Sequence, residues 1–302
     1  MEHLHHPGDP DNLLIKTESK VIQKFYAMDM PFYSSMGLYN FSDRCEIIKE
    51  VGYDAMHLSL WDGTRWAEAK QLATVQERFG LEVAGVYIVL DLARGHNDAR
   101  NAGIITMLNT MPEGSTVELA IQTAAAGMRP SDPDGDVPVI AWLQKALAIC
   151  EIRNIRILLY THIKHWIDKH SDAIRVCEKV DHPNLGLVFS SGNWYMGEGK
   201  GLADTLRRAM PYLKQVNLSG SRRSPLGFFE VGTIEPLDMG EMDNFAIVAL
   251  LRRLGYEGYI GYTGWDEGGD AYNKLERTLK MLKSIINRVE AHPNWASHIE
   301  NQ

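Results

Sequence analysis

Ile155-Arg156-Ile157-Leu158-Leu159-Tyr160-Thr161-His162 begins the stretch whose reading decides the fold. It is a short apolar run ending in polar residues. A helical pattern over Asp168–Val180 follows, then a second apolar run, Leu185-Gly186-Leu187-Val188-Phe189, which closes on Ser190-Ser191-Gly192-Asn193. Helix Leu202–Met210 and strand Lys214–Leu218 repeat the unit, ending in Val216-Asn217-Leu218. Short apolar runs of this kind suit strands buried on both faces. Helices between them imply parallel pairing through right-handed crossovers.

The alternation extends in both directions. Upstream, Phe25–Met28 opens a first strand, and Ser42 is expected to cap a helix in which Cys45, Ile47, Ile48 and Val51 recur at helical spacing before Gly52 stops it. Tyr53–Leu60 is strand two, a helix over Ala67–Phe79 closes at Gly80, and Leu81–Leu90 is a strongly apolar third strand. A helix over Ile104–Met111 and a strand over Thr116–Ile121 come next. Residues 127–138 hold three prolines, three aspartates and two glycines, and so read as a loop before helix Val139–Cys150. Downstream, helix Asn244–Leu254, strand Tyr259–Tyr262 and a long helix over Ala271–Val289 complete eight strand–helix units. Eight units in about 265 residues match a single closed (β/α)8 barrel. The expected layout is a flexible arm over 1–22, the barrel over 23–290 and a tail over 291–302.

A net charge of −8 disfavours a nucleic-acid binder, whose affinity rests on clustered Lys and Arg. No apolar run reaches membrane-spanning length, and no basic region precedes an apolar stretch at the start, so the expected setting is cytoplasmic. Cys45, Cys150 and Cys177 lie far apart and form no C-x-x-C pair, consistent with buried free thiols in a reducing compartment. His3, His5 and His6 precede Pro7-Gly8-Asp9-Pro10 and read as part of the arm rather than as a metal site.

In such barrels the working residues sit at the C-terminal ends of the strands and in the loops just beyond. Those positions are polar and aromatic here. Strand two offers His57 and Trp61, and strand three Tyr87 and Asp91. Strand five offers Tyr160, His162 and His165, and strand six Ser190, Asn193 and Trp194. Strand seven offers Asn217 and Ser219, and strand eight Thr263, Trp265 and Asp266. Hydroxyls and amides suit a polyol's hydroxyls, and tryptophans suit a sugar's apolar face, so the composition is that of a polyol pocket. Taken singly, such residues more often cap helices or pack the rim.

Gly52-Tyr53-Asp54-Ala55, His182-Pro183-Asn184-Leu185-Gly186-Leu187 and Gly255-Tyr256-Glu257-Gly258 make the resemblance specific. The chain resembles the xylose isomerase-like, or sugar-phosphate isomerase/epimerase, barrel family over roughly residues 25–285. The resemblance implies Mn, Mg or Zn held by Glu, Asp, His and Glu at the ends of strands five to eight, polarising a substrate oxygen. Carried over by position, those four places here are Tyr160, Ser190, Asn217 and Thr263, and a further strand-six histidine falls on Asn193. Of that set only a histidine two places after the strand-five ligand survives, as His162. None of the four is anionic, so no metal cofactor is expected, unless one has moved to His57, Asp91, His162 or Asp266. The family's nucleic-acid branch, with its three-zinc cluster and basic groove, resembles this chain less.

Two kinds of function remain. One is a metal-independent isomerase, epimerase or lyase on a sugar or polyol, with His162 as acid/base, Asp91 or Asp266 as its partner, and Tyr160, Asn217 and Ser219 bonding to oxygen. The other is a carbohydrate-binding or regulatory pseudoenzyme, or a supporting subunit of an active homologue. There Trp61, Trp194 and Trp265 would stack on a sugar, and His57, Ser190, Asn193 and Thr263 would contact it. The expected partner is a small sugar or polyol, with homo-oligomerisation left open.

Overall fold

In the computed structural model the described residues are 22–297, except 62, 64, 96, 123–127, 224–230 and 266–267. Eight parallel strands close in sequence order: β1 (Phe25–Met28), β2 (Ala55–Ser59), β3 (Glu82–Asp91), β4 (Thr116–Gln122), β5 (Arg156–Tyr160), β6 (Leu185–Ser190), β7 (Leu213–Leu218) and β8 (Ile260–Tyr262). The ring is sealed where β1 pairs with β8, Tyr26 standing opposite Gly261. This is the single (β/α)8 barrel that the alternating pattern predicts.

The helices are α1 (Phe41–Val51), α2 (Trp66–Ala69), α3 (Val75–Phe79), α4 (Ala99–Thr110), α5 (Asp136–Ile152), α6 (His170–Val180), α7 (Ser191–Gly197), α8 (Leu202–Ala209), α9 (Asn244–Arg253) and α10 (Ala271–Ala291). Among the described residues none is long and apolar enough to cross a membrane. Leu, Ile and Val from the outward faces of the strands meet the inner faces of these helices and form the main core, in which Cys45, Cys150 and Cys177 lie buried as free thiols. Burial pushes all three thiols up to about 12, as expected for inert core cysteines.

Several local expectations need correction. Asn40, not Ser42, caps α1: its side chain accepts the Asp43 N–H, and the Asp43 carboxylate accepts the Asn40 N–H. The helix expected over Ala67–Phe79 is broken by a 3-10 segment, Lys70–Thr74, between α2 and α3. The expected loop before helix five already contains a 3-10 turn, Pro133–Gly135, and the start of α5, because a proline in a helix's first turn forfeits no internal hydrogen bond. Helix α7, directly after β6, was not expected at all. The proposed N-terminal arm lies outside the described residues but for Ile22.

Inward-facing residues fill the barrel in layers. Tyr26, Met28, Ala55, Tyr87, Val89, Ala120, Leu158, Tyr160 and Val188 form a second apolar cluster inside the ring. Gly261 makes room for the buried Tyr26 ring, which occupies the space a Cβ at that position would need. Gly261→Ala is therefore expected to cost about 1–3 kcal/mol by overpacking. A denaturant midpoint equal to wild type would show that the tyrosine can move aside.

Candidate functional site

At the C-terminal mouth of the barrel is an open cavity of about 250 Å³. Its floor and walls include Tyr160 from the end of β5, Gln122 from the end of β4, Tyr87 and Val89 from β3, and Thr263 just after β8. Loop residues complete it: Met30 after β1, Trp61 after β2, His162 and His165 after β5, Ile234 between β7 and α9, and Trp265. Asn193 and Arg100 enter from the first turns of α7 and α4. The two tryptophans meet edge to face across the rim, their centroids 5.7 Å apart at 85°.

Tyr160 is central to the floor. Its hydroxyl lies 3.3 Å from Ser190 Oγ, which in turn accepts a hydrogen bond from Asn193 Nδ2 at 2.9 Å. Burial pushes the phenol up to about 12, the nearby Glu118 charge adds to this, and the neighbouring Ser190, Thr263 and Asn217 side chains moderate it. Of the other three strand-end positions, Ser190 is in hydrogen-bond reach of the phenol, whereas the buried Asn217 Nδ2 has no hydrogen-bond partner among the described residues. Ser190 and Asn217 stand opposite each other in the β6–β7 register, and Thr263 Oγ1 donates to Met28 Sδ. Every group in the set is neutral, and Tyr160 keeps its proton across the ordinary pH range.

His162 and His165 form the adjoining wall, their rings stacked with centroids 3.8 Å apart. His162 Nδ1–H donates to the Ile163 carbonyl at 2.9 Å, which leaves the ring's proton-accepting lone pair on Nε2. Burial lowers His162 to about 4, the bond to Ile163 opposing the shift. Burial, then the neighbouring His162 and Arg100 charges, lower His165 to about 2. Both rings are uncharged at neutral pH. Asn193 positions this loop from across the mouth, because its Oδ1 accepts the Ile163 N–H at 3.2 Å.

The remaining sequence-proposed residues are placed elsewhere. His57 lies inside the barrel rather than at the mouth, fully buried, with Nε2 3.3 Å from Glu118 Oε2. Gly85 is bare where a Cβ would press on that imidazole. Asp91 caps the turn after β3, accepting the Ala93 N–H at 3.0 Å and pairing with Arg94 at 3.1 Å. It reaches the cavity only through Gln122 Nε2, 3.4 Å away. Trp194 packs into the core beside Phe189. The Ser219 N–H donates to Ser191 Oγ at 3.2 Å, which binds the end of β7 to the start of α7. Neither Ser190 nor Asn217 lines the cavity, and Asp266 lies outside the described residues.

Arg100, Gln122 and Glu118 escaped the sequence reading. Gln122 could have been found by following strand four one residue further. His170 was also missed: its Nδ1–H donates to Glu198 at 2.7 Å, and its Nε2 accepts the Ser190 N–H at 3.4 Å, so it fixes the end of β6. Burial alone would raise Glu198, but its bonds to His170 hold it below the usual carboxylate value.

The model of the xylose isomerase-like TIM barrel family matches residues 45–285, and the chain belongs to that family. No curated protein matches the sequence. Among solved structures it is similar to 3-keto-D-glucoside 4-epimerase from E. coli, at TM-score 0.66 and 17% identity, over 87% of this chain and 100% of that one. It is similar also to an L-ribulose 3-epimerase, at TM-score 0.66 and 14% identity, over 89% and 96%. A xylose isomerase-like TIM barrel protein from Mycobacterium smegmatis, in complex with magnesium, gives 0.63 and 14% over 87% and 96%. Likeness at this level concerns the fold.

The residues at the four strand ends do not suit a divalent cation. Hard cations take charged oxygen donors, whereas Tyr160, Ser190, Asn217 and Thr263 bring no negative charge. Among the described residues no group of three or more His, Cys, Asp and Glu is gathered anywhere that could hold a metal ion.

The two buried histidines carry a cost in acid. Their folded-state affinity for protons lies below the unfolded value of 6.5, so the unfolded chain binds more protons and stability falls as pH drops below about 6.5. For His162 the loss extends down to about pH 4 and amounts to about 3 kcal/mol. Urea unfolding of wild type and His162→Asn at pH 7, 6, 5 and 4 should show a shallower slope for the variant. Parallel curves would mean that His162 binds a proton as readily in the folded protein as in the unfolded chain.

Proposed function

We propose that the chain is a sugar or polyol isomerase/epimerase-like protein that works at the mouth cavity without a divalent metal. The observation that carries this reading is the neutral Tyr160 hydroxyl on the cavity floor, supported from behind by Ser190 and flanked by the neutral His162. Isomerisation and epimerisation begin by removing a proton from the carbon beside a carbonyl. His162 Nε2 takes that proton as the C–H bond breaks and the electron pair moves into the carbonyl. The Tyr160 O–H donates a hydrogen bond to the oxygen that becomes negative, the task a cation performs in a metal-bearing site. If solvent replaces the proton on Nε2 before it returns to the same carbon, the result is exchange; if it returns to the neighbouring carbon while that carbon's hydroxyl proton passes to the oxygen held by Tyr160, the result is isomerisation. Trp61 and Trp265 offer the apolar face, and Asn193 and Thr263 the polar contacts for hydroxyls.

The test is exchange of α-protons with solvent deuterium, followed by NMR across a panel of ketoses and aldoses. His162→Ala should reduce exchange at least about 100-fold, and Tyr160→Phe by a similar factor. The base must be unprotonated, so the rate should fall as pH drops through about 4. The donor must be protonated, so it should fall again as pH rises through about 12. Stoichiometric Mn, Mg or Zn, found by elemental analysis after replacing His3, His5 and His6, would sink the metal-free reading.

A second reading is sugar binding without turnover. It is favoured by the burial that makes His162 so weak a base. On that reading a sugar stabilises the protein thermally without deuterium exchange, and His162→Ala loses only modest affinity.

A further inference from the structure

Arg100 stands in the first turn of α4 and lines the cavity. Its position is held from the β2–α2 loop. One guanidinium nitrogen donates to the Trp61 carbonyl, and the side-chain stem passes Gly63, where a Cβ would lie 3.5 Å from Arg100 Cγ. A guanidinium carries five N–H donors, so the single carbonyl leaves most of them to other acceptors. Arg44, Arg94, Arg175, Arg222 and Arg277 each pair with a carboxylate. Among the described residues Arg100 has no such partner, and no Asp or Glu lines the cavity.

Among the described lining residues Arg100 is thus the one charged group, in a wall of aromatic, aliphatic and neutral polar groups. The stacked His162 and His165 add no charge at neutral pH. A cation so placed favours an anion that it can bond in the plane of its fork, and carboxylate matches that geometry with two parallel hydrogen bonds. A phosphate group brings nearly two negative charges at neutral pH and would leave one of them unbalanced here.

We propose that the ligands of this site are sugar acids, aldonates or uronates, whose carboxylate pairs with Arg100 while their hydroxyls face Tyr160, Asn193 and Thr263. The proposal rests on the sugar-site reading above and names its substrate class. It also sets the register of the ligand: the charged end lies toward α4 and the β2–α2 loop, and the hydroxyl-bearing carbons lie over the phenol.

Matched pairs test it by calorimetric titration of the full chain: D-gluconate against D-sorbitol, D-glucuronate against D-glucose, and D-glucose 6-phosphate as the dianion. The acids should bind at least about tenfold more tightly than their neutral partners, equivalent to about 1.4 kcal/mol. Arg100→Gln should shrink that ratio to within about twofold, and Arg100→Lys, which keeps the charge but not the fork, should restore part of it. Neutral and acidic partners binding alike would overturn the proposal while leaving a polyol site in place. Binding by none of the acids overturns it too, and so does tighter binding of the sugar phosphate. If Arg100→Gln fails to fold, as judged by its thermal transition, the wild-type panel and Arg100→Lys decide the matter.

Discussion

The backbone seam between β1 and β8 is the contact on which the rest of the structure depends. It pairs Phe25 with Ile260, Tyr26 with Gly261 and Ala27 with Tyr262, and it turns an open parallel sheet into a ring. Only in a closed ring do Thr263 and Trp265, near the end of the chain, stand beside Met30 and Trp61, near its start. A side chain at Gly261 would crowd the seam, because the ring of Tyr26 already fills the barrel interior there. Closure, internal packing and the shape of the mouth thus depend on the same residues.

Closure also sets the chemistry. Residues facing the axis lose water whether they are apolar or not, and burial penalises whatever would be charged. Along the upper layer this produces a uniform outcome: phenol, hydroxyls, amides and two imidazoles, all neutral at physiological pH. A layer deeper, His57 and Glu118 stand 3.3 Å apart with neither side chain exposed. Polar groups of this kind are retained against a desolvation cost, and around the mouth they come with dedicated supports. Asn193 holds both Ser190 and the His162 loop, and His170 with Glu198 anchors the end of β6.

The strands were legible because parallel strands covered on both faces must be apolar runs, and the glycines at 52 and 80 end α1 and α3 in left-handed conformations that favour that residue. Helix α7 was not, since the seven residues Ser191–Gly197 are too few to display a period, and their folding back carries Trp194 into the core. At the mouth, sequence gives the order of residues along a strand but not their depth. His57 is only two residues from the end of β2, yet that spacing separates the barrel interior from the cavity. Tyr160, Ser190, Asn217 and Thr263 follow from the family's pattern, and the contact between the Tyr160 phenol and Ser190 became visible only in three dimensions. Arg100 escaped because it belongs to a helix start, nine residues beyond the end of β3, where no periodicity marks a cavity wall.

The Tyr160 hydroxyl has a thermodynamic implication beyond its hydrogen bonds. A bound cation is a separate molecule, and the fraction of sites holding one depends on its free concentration and on whatever competes for it. A phenol joined to the backbone is present at a fixed ratio of one per chain, whatever the medium contains. The hydrogen-bond donor that Tyr160 offers at this mouth is therefore supplied by the chain itself, and its presence does not depend on the concentration of any dissolved species.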